Sequence, residues 1–478
     1  FSEDDVRKND GTDGRPLWVI FRGSVHDVTE FQHRHPGGKY ILQAAGGDVE
    51  PFWNKWAYHY DRTKVKEALQ ETRIGSLHPR PSGLPHGVEA GKGVEELYRT
   101  EPARDPSLLK ELIARPYTGE SRPAALLSYL TPAAALYVRN HAPVPMNLKA
   151  KTHEISFGIS SCEECSEEKS VTLPELLQQH PAHKVVSVLQ CAGNRAAHDM
   201  EATGVNGFKD TPYEVIKCGM MGNVMWEGVL LSSVLRNIYP VQCAAETSSE
   251  ESVWHVNFIG AEGYETSVPL SYILDTSNQC ILATKMNGHA LTADHGYPVR
   301  VVMPGLVGAR NVKWLESVFL SRQVSKAPWS AAYYLNRDGV DIQGMPMQSL
   351  ILRPSGEEES VLLYDESLHV EGVSYSGGTG ATIAKVEISI DDGKTWTEAH
   401  LHTAEMDSSV RNGRSFGWVR FEADVNVSAT SNTAGKPLSV CCRSTDSNGN
   451  IQPKVSEKHR GYIYNGWHYV RINIESMS

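Results

Sequence analysis

The sequence predicts a multidomain protein with a small α+β unit at the N-terminus, a larger α+β unit in the middle and a β-sandwich at the C-terminus. Three observations carry this. At 478 residues the chain exceeds what one hydrophobic core holds, so two or three domains follow from length. Residues 78–100, which include HPRPSGLPHGVEAGKG, are rich in Pro and Gly and poor in bulky apolar side chains, the composition of a flexible tether. Beyond about residue 335 the pattern turns to short alternating runs at the spacing of a sandwich. The boundaries read as 1–77, a tether at 78–100, 101–330 and 335–478.

Within the first unit, Leu17–Ile20 has the pattern of a short strand, and helical patterns come later. The middle unit mixes helices at Glu175–Gln179 and Val229–Ile238 with strands at Val185–Leu189 and Val299–Met303. In the last unit, AKVEISIDDGKTWTEAHL alternates apolar and polar residues around Asp391-Asp392-Gly393, a hairpin signature. FGWVRFEADV and LSVCCRSTD continue the strand pattern, and no internal repeat is present.

A formal charge of −11 argues against a nucleic-acid partner, because phosphate contacts need a basic face. No run approaches the roughly 20 apolar residues of a membrane helix. The most apolar stretch, Ala124 to Val138, is broken by Thr131 and Pro132, so the chain reads as soluble. It opens on Phe1, so a targeting peptide, if already removed, cannot be read. An anionic substrate would need a local cluster of Arg or Lys to override the global field. The eight cysteines show no disulfide framework and read as reduced thiols, with Cys441 and Cys442 on opposite faces of a strand. Cys162 and Cys165 form a lone C-x-x-C in SSCEECSEEKS. No second Cys or His pair sits at zinc spacing, and the acidic, Ser-rich setting predicts a hairpin loop.

His35 lies in HRHPGGKYI, and His59 follows 24 residues later in FWNKWAYHYD. Pro36 stiffens the turn, and Gly37-Gly38 let the backbone pass close to a flat ring. An isolated HPGG is often just a turn. In the order VHDVTEF, HPGG, AAGGDVEPFW and His, the sequence resembles cytochrome b5 across essentially all of residues 1–77. The resemblance implies a b-type haem with His35 and His59 as axial ligands. An iron held by two imidazoles passes electrons and has no open position for oxygen.

Cys191 ends the apolar run VVSVLQ and, taken bare, reads as a buried small hydrophobe. The strand Val185–Leu189 should deliver it into a turn formed by CAGNR, whose small residues would admit a bulky cofactor. Arg195 could help hold the thiolate form, and a soft thiolate suits a metal already bound by cofactor sulfurs. LYVRNHAPVP, LQCAGNR, GYETSVPL, MNGHALTADHGYPVRVVMPG and GARNVKWL then follow in the order found in sulfite oxidases and eukaryotic nitrate reductases. From about residue 110 to the C-terminus the chain resembles this family, and the β unit resembles its dimerisation domain, an immunoglobulin-like β-sandwich.

The resemblance implies a molybdopterin cofactor whose dithiolene sulfurs, with Cys191, hold molybdenum. His141, His295, Arg300, Asn311, Val312 and Lys313 fall on pterin-contacting positions, and the two cations suit the cofactor's phosphate. Arg139 and Arg460 match two arginines of the family's oxyanion site, and Tyr264 matches the tyrosine beside the metal. Sulfite would be oxidised to sulfate, with electrons leaving singly through the haem to cytochrome c. A homodimer in the mitochondrial intermembrane space is the further expectation. Residues 1–77 carry 11 basic and 12 acidic side chains, so strong electrostatic steering toward a basic partner is not assured.

One position departs from the family pattern. Where relatives run Cys-Ala-Gly-Asn-Arg-Arg, the second arginine is here Ala196, and the following loop is several residues longer. Losing one cation from a dry anion site costs on the order of 1.5–3 kcal/mol, roughly ten- to a hundredfold in affinity. His198 or Lys209 from the longer loop is a candidate to restore the charge. The family's pocket tryptophan has no clear counterpart, with Tyr213 the nearest. A different oxygen-atom-transfer substrate therefore stays open, as does a degenerate electron-transfer protein. A nitrate reductase is disfavoured because its cytochrome b5-like unit follows the molybdenum domain and leads to a flavin domain. If the tether gates electron transfer, stiffening or lengthening 78–100 will change the rate of haem reduction in stopped-flow while leaving the cofactor spectra unchanged; unaltered kinetics would refute a gating role.

Overall fold

The computed structural model describes residues 1–33, 35, 41–42, 44–55, 59, 63–78, 98–160, 169–204, 215–247, 254–327, 329–336, 338–356, 360–363, 366–407, 410–411, 413–427, 437–456 and 461–475. Most of the tether, together with Cys162, Cys165, Lys209, Tyr213 and Arg460, lies outside the described residues.

At the N-terminus the helix Glu3–Lys8 is started by a Ser2–Asp5 capping box, with acidic residues in its first turn and basic ones in its last. The antiparallel strands Trp18–Phe21, Ser24–Asp27 and Arg73–Ser76 form one sheet. Arg22 and Gly23 both take positive φ, the requirement of a tight two-residue hairpin whose twist matches the strands. Leu17, Val19, Val28, Ala44 and Val49 form the main apolar cluster here, flanked by Phe31 and Trp53.

The central part holds two five-stranded sheets. One places Met221–Leu230 between Ala182–Gln190 and Ile281–Met286, with His289–Ala290 and Arg300–Val302 completing it. In the other, Leu315–Ser321 runs parallel to Glu154–Ser160 and antiparallel to His255–Gly260. Hydrophobic residues from both sheets share one core, and the first sheet buries its other side chains, among them Val185, Val224 and Trp226, in a second cluster. Gly228 sits at a bulge where a Cβ would collide with the Leu282 carbonyl, so glycine is required to keep the strands paired. Residues 229 and 230, expected to be helical, belong to this strand, and the helix starts at Leu231. The pairing of Leu230 with Ile281 overrides the local helical pattern.

Toward the C-terminus, Gln348–Arg353, Ser367–Tyr375, Val419–Asn426 and His400–Leu401 form one sheet. Ser360–Leu362, His468–Glu475, Leu438–Asp446, Ile383–Ser389 and Thr397–Glu398 form another. Ile351, Val370 and Phe421 from the first and Val386, Cys442 and Ile472 from the second are buried in one cluster. The hairpin about Asp392-Gly393 has a longer loop than its two-residue signature suggested, because pairing resumes only at Ile388↔Thr397. Asp391 accepts bonds from Lys394 N, Thr395 N and the Thr395 hydroxyl and closes that loop locally. All six described cysteines are free and buried, and no described helix is long and apolar enough to cross a membrane.

Leu350, Tyr375, Trp418 and Tyr462 reach across to the central core, so the C-terminal sheets are packed against it. Truncating Phe421, fully buried between the two C-terminal sheets, should cost about 3–5 kcal/mol. Phe421→Ala is expected to lower a calorimetric transition while haem absorbance stays at its wild-type value; an unmoved transition would contradict the shared core.

Candidate active site

The strand Ala182–Gln190 ends at Cys191, and residues 192–195 turn the chain into the helix Ala196–Thr203. Cys191 N donates to Met220 O (2.9 Å) and Cys191 O accepts from Asn194 N (3.0 Å), which fixes the turn. The thiol faces a cavity lined by all nine described candidates of the catalytic unit: Cys191, Arg139, Tyr264, His141, His295, Arg300, Asn311, Val312 and Lys313. Glu262, Asp294, Gly308 and Tyr334 complete much of the remaining wall. Arg460 lies outside the described residues.

Burial pushes the Cys191 thiol above its usual range, while the Gly193 backbone N–H and the charge of Arg139 draw it down. Arg139, not Arg195, is therefore the cation that favours the thiolate. Arg195 sits in the left-handed region (φ 67°), and its side chain faces the C-terminal sheets. There it donates to Gln348 Oε1 (2.9 Å) and to the carbonyls of Gly466 (2.6 Å) and Trp467 (3.0 Å), with its guanidinium over the Tyr464 ring. Its Nε donates to His198 Nδ1 (3.2 Å). Desolvation and then Arg195 push His198 down to about 3, so it is neutral. His198 therefore does not supply the cation that Ala196 lacks. Ala196 itself is buried at the start of its helix.

The three cations on the cavity wall are held differently. Arg139 Nη1 donates to Thr118 Oγ1 (3.3 Å) and the Asn140 carbonyl. Arg300 donates to the carbonyls of His295 (3.2 Å) and Asn311 (2.9 Å), and its buried Nε meets no acceptor among the described residues. Desolvation pulls it to about 10, still protonated at neutral pH. Lys313 Nζ donates to Asn140 Oδ1 and to the Asp294 carbonyl (2.9 Å), and desolvation pulls it to about 7, so it is partly charged at neutral pH.

His295 is lowered to about 4, first by desolvation. Its Nε2 lies 3.3 Å from the Tyr137 carbonyl, which can only accept, so Nε2 carries the proton and Nδ1 accepts from the Thr292 hydroxyl (2.7 Å). Asn311 is spent on the backbone: Oδ1 accepts from Met303 N (2.8 Å), and Nδ2 donates to Val307 O (2.9 Å). Its side chain thus shapes the loop, and its reach to a ligand is through the backbone.

His141 stacks on Tyr264 (4.7 Å) and packs against Trp329 (4.3 Å). Its Nε2 lies 3.1 Å from the Tyr334 hydroxyl, and desolvation followed by Arg139 keeps the imidazole neutral. The Tyr264 hydroxyl donates to the Ala309 carbonyl (2.9 Å). Tyr334, which sequence reasoning missed, is thus a cavity tyrosine beside Tyr137 and Tyr264, and Trp329 is an aromatic neighbour of His141. Their segment, APWSAAYY, carries no signal beyond its aromatics.

An anionic, metal-bearing cofactor fits this cavity on three grounds. Arg300 is buried without a carboxylate partner among the described residues, which calls for an anion. At Gly308 the cavity wall is bare backbone, kept so because a Cβ there would collide with the Tyr137 hydroxyl at 2.7 Å. No group of three metal-ligating side chains exists among the described residues, so a metal at Cys191 must bring further donors with it. In the N-terminal part, His35 is edge-on to Phe31 (5.8 Å) and His59 stacks on Trp53 (5.1 Å). Both imidazoles thus border one apolar cluster, an environment suited to a haem.

Residues 2–78 match the family model "Cytochrome b5-like Heme/Steroid binding domain", 141–329 "Oxidoreductase molybdopterin binding domain" and 340–475 "Mo-co oxidoreductase dimerisation domain". Fold and cavity thus define a molybdopterin-binding oxidoreductase with a cytochrome b5-like unit. The mitochondrial sulfite oxidase of Mus musculus is 32% identical over 99% of this chain and 84% of its own. For the sulfite oxidase of Gallus gallus the figures are 33%, 95% and 95%. The chain belongs to the sulfite oxidase family. The solved sulfane dehydrogenase SoxCD of Paracoccus pantotrophus has a similar fold (TM-score 0.57, 22% identity, 84% of this chain and 97% of that one).

Since desolvation raises the Cys191 thiol, cofactor-free protein should alkylate there more slowly at pH 7 than an exposed thiol does, and faster as pH rises. Peptide mass spectrometry of iodoacetamide-treated protein reads this. Rapid labelling at pH 7 would mean that the thiolate is stabilised more strongly than the cavity charges imply.

Proposed function

We propose that this chain oxidises sulfite to sulfate with a molybdopterin-bound molybdenum at Cys191 and passes the electrons through haem b to cytochrome c. The observation that carries the reading is one cavity whose lining includes Cys191, Arg139, Arg300 and Lys313, within a chain similar along nearly its whole length to sulfite oxidases. The molybdenum cofactor, when bound, supplies two-electron oxygen-atom transfer, and the haem relays electrons one at a time.

The chain's own residues bind and orient. Arg300 and Lys313 hold the cofactor's phosphate, with His141, His295, Asn311 and Val312 around the pterin. Arg139 and Arg460 draw the sulfite anion to the Cys191 side of the cavity. A neutral His141, hydrogen-bonded through Nε2 to the Tyr334 hydroxyl (3.1 Å), fixes that phenol, while Tyr264, its hydroxyl committed to Ala309, supplies a rigid ring. His35 and His59 hold the haem iron.

The domains are read as 1–77, 78–100, 101–330 and 335–478. The last is an immunoglobulin-like sandwich, supported by two sheets over one core. The match to a dimerisation domain supports a homodimer. Relatives named as mitochondrial support that compartment, and the intermembrane space is our further reading.

Ala196 and the neutrality of His198 favour weakened sulfite affinity, or a second reading with another oxyanion as substrate. The nitrate reductase of Phytophthora infestans, 27% identical over 78% of this chain and 42% of its own, keeps nitrate among the candidates. One preparation assayed for molybdenum, haem, sulfite-dependent haem reduction and cytochrome c reduction tests the proposal. We expect both cofactors and haem reduction by sulfite, and Cys191→Ser should abolish the reduction while leaving the oxidised haem spectrum intact. Full cofactor loading with no response to sulfite would refute the sulfite assignment, and absence of molybdenum would leave only an electron carrier.

A further inference from the structure

Arg104 belongs to the first described segment after residues 79–97 and does not itself line the cavity. It is largely buried, and its guanidinium grips Asp294 with two parallel bonds, Nε to Oδ2 (2.8 Å) and Nη2 to Oδ1 (2.7 Å). Nη2 also meets Glu101 Oε2 (2.5 Å), whose other oxygen accepts from Val144 N (2.9 Å), and the guanidinium plane lies over the Tyr117 ring at 3.9 Å. Asp294 Oδ1 accepts from Asn140 Nδ2 (3.1 Å), and Asn140 Oδ1 accepts from Lys313 Nζ. Lys313 is bound to the Asp294 backbone carbonyl rather than to its carboxylate.

We propose that Arg104 is a positioning residue for the cofactor, one that engages the Asp294 carboxylate so that Asn140 keeps Lys313 in place on the cavity wall. This rests on reading the cavity as the molybdopterin site. The physical reason is a competition. Three carboxylates, Asp294, Glu262 and Glu101, act on Lys313, and two of them, Asp294 and Glu101, also bind Arg104. With Arg104 present its planar fork saturates Asp294, as bidentate geometry favours. Without it, a buried carboxylate is left exposed to the nearest remaining cation, and the Lys313 ammonium turns toward Asp294 and away from an anion in the cavity. Asn140 also stands between Arg139 and His141 in sequence, so loss of its Asp294 contact loosens both neighbours at the cavity wall.

The test compares molybdenum per haem in full-length wild type, Arg104→Met, Arg104→Lys and the double variant Arg104→Met/Asp294→Asn, with the N-terminal haem as the internal standard for folded protein. Outer residues that orient a bound group change its retention by roughly ten- to a hundredfold. After gel filtration, Arg104→Met should therefore lose at least about tenfold in molybdenum per haem, and Arg104→Lys should fall between it and wild type. The double variant should retain more molybdenum than Arg104→Met, because it no longer buries an unpaired carboxylate that captures Lys313. It also serves as the folding-safe form should Arg104→Met misfold. Wild-type loading in Arg104→Met, or a double variant no better than the single one, would overturn the positioning role alone. A wild type with haem but no molybdenum would overturn the cofactor reading as well.

Discussion

The structure depends on keeping cations in a dry cavity beside a thiol. Moving an ammonium or guanidinium out of water costs several kcal/mol per ion even after relaxation, and Arg300 and Lys313 both show the effect as lowered proton affinity. Their bonds within the cavity run to neutral acceptors: backbone carbonyls and the Asn140 amide. Such partners satisfy the N–H groups of Arg300 without cancelling its charge, whereas the charge of Lys313 is opposed by Asp294, Glu262 and Glu101. An anionic cofactor that fills the cavity then stabilises the folded state as well as enabling chemistry, since whatever binds only the native form adds to its stability.

That arrangement needs rigid walls, and the walls come from both parts of the chain described from residue 98 onward. Arg195 ties the Cys191 turn to Gln348, Gly466 and Trp467. Ile463 N donates to the Ala192 carbonyl (2.7 Å), and Gly461 N donates to Asp199 (2.7 Å). Behind the cavity, Arg310 is fully buried and bonds Asp341, Thr266 and the Ile342 carbonyl, fixing the turn that carries Ala309 and Asn311. A buried pair of this kind is a poor source of net stability, but removing one partner is costly. Its value here is geometric: the 308–313 loop has one arrangement.

Much of this was legible in the sequence because it rests on short-range pattern. The run VVSVLQ followed by CAGNR predicts a buried strand ending in a tight turn of small residues, and Ala182–Gln190 followed by the 192–195 turn has that form. The nine described candidates came from five separate motifs and meet at one cavity, although their individual roles are a matter for experiment. What stayed hidden depends on direction rather than composition. The side chain of Arg195 leaves the cavity because the residue takes positive φ, which a non-glycine position does not advertise. Tyr334 and Trp329 enter through a distant segment, and only tertiary packing brings them to His141. Asn311, on the cavity wall, also braces its own loop, a bond pattern its motif does not reveal.

The net charge of −11 and the Ala196 substitution bear on the same problem at different ranges. At physiological salt, charges farther apart than about 8 Å are largely screened, so the global field has little hold on an anion already in the cavity. Local cations decide binding there. His198 is neutral and turned toward Arg195 and His468, so the helix after Cys191 contributes no replacement charge from its described residues. The chain just C-terminal to Arg460, however, is bonded to that same helix and turn through Gly461 and Ile463. In this protein, therefore, the fixed elements around Cys191 that follow Ala196 serve to anchor the C-terminal segment. Among the described residues, the cation whose charge reaches the Cys191 thiol is therefore Arg139.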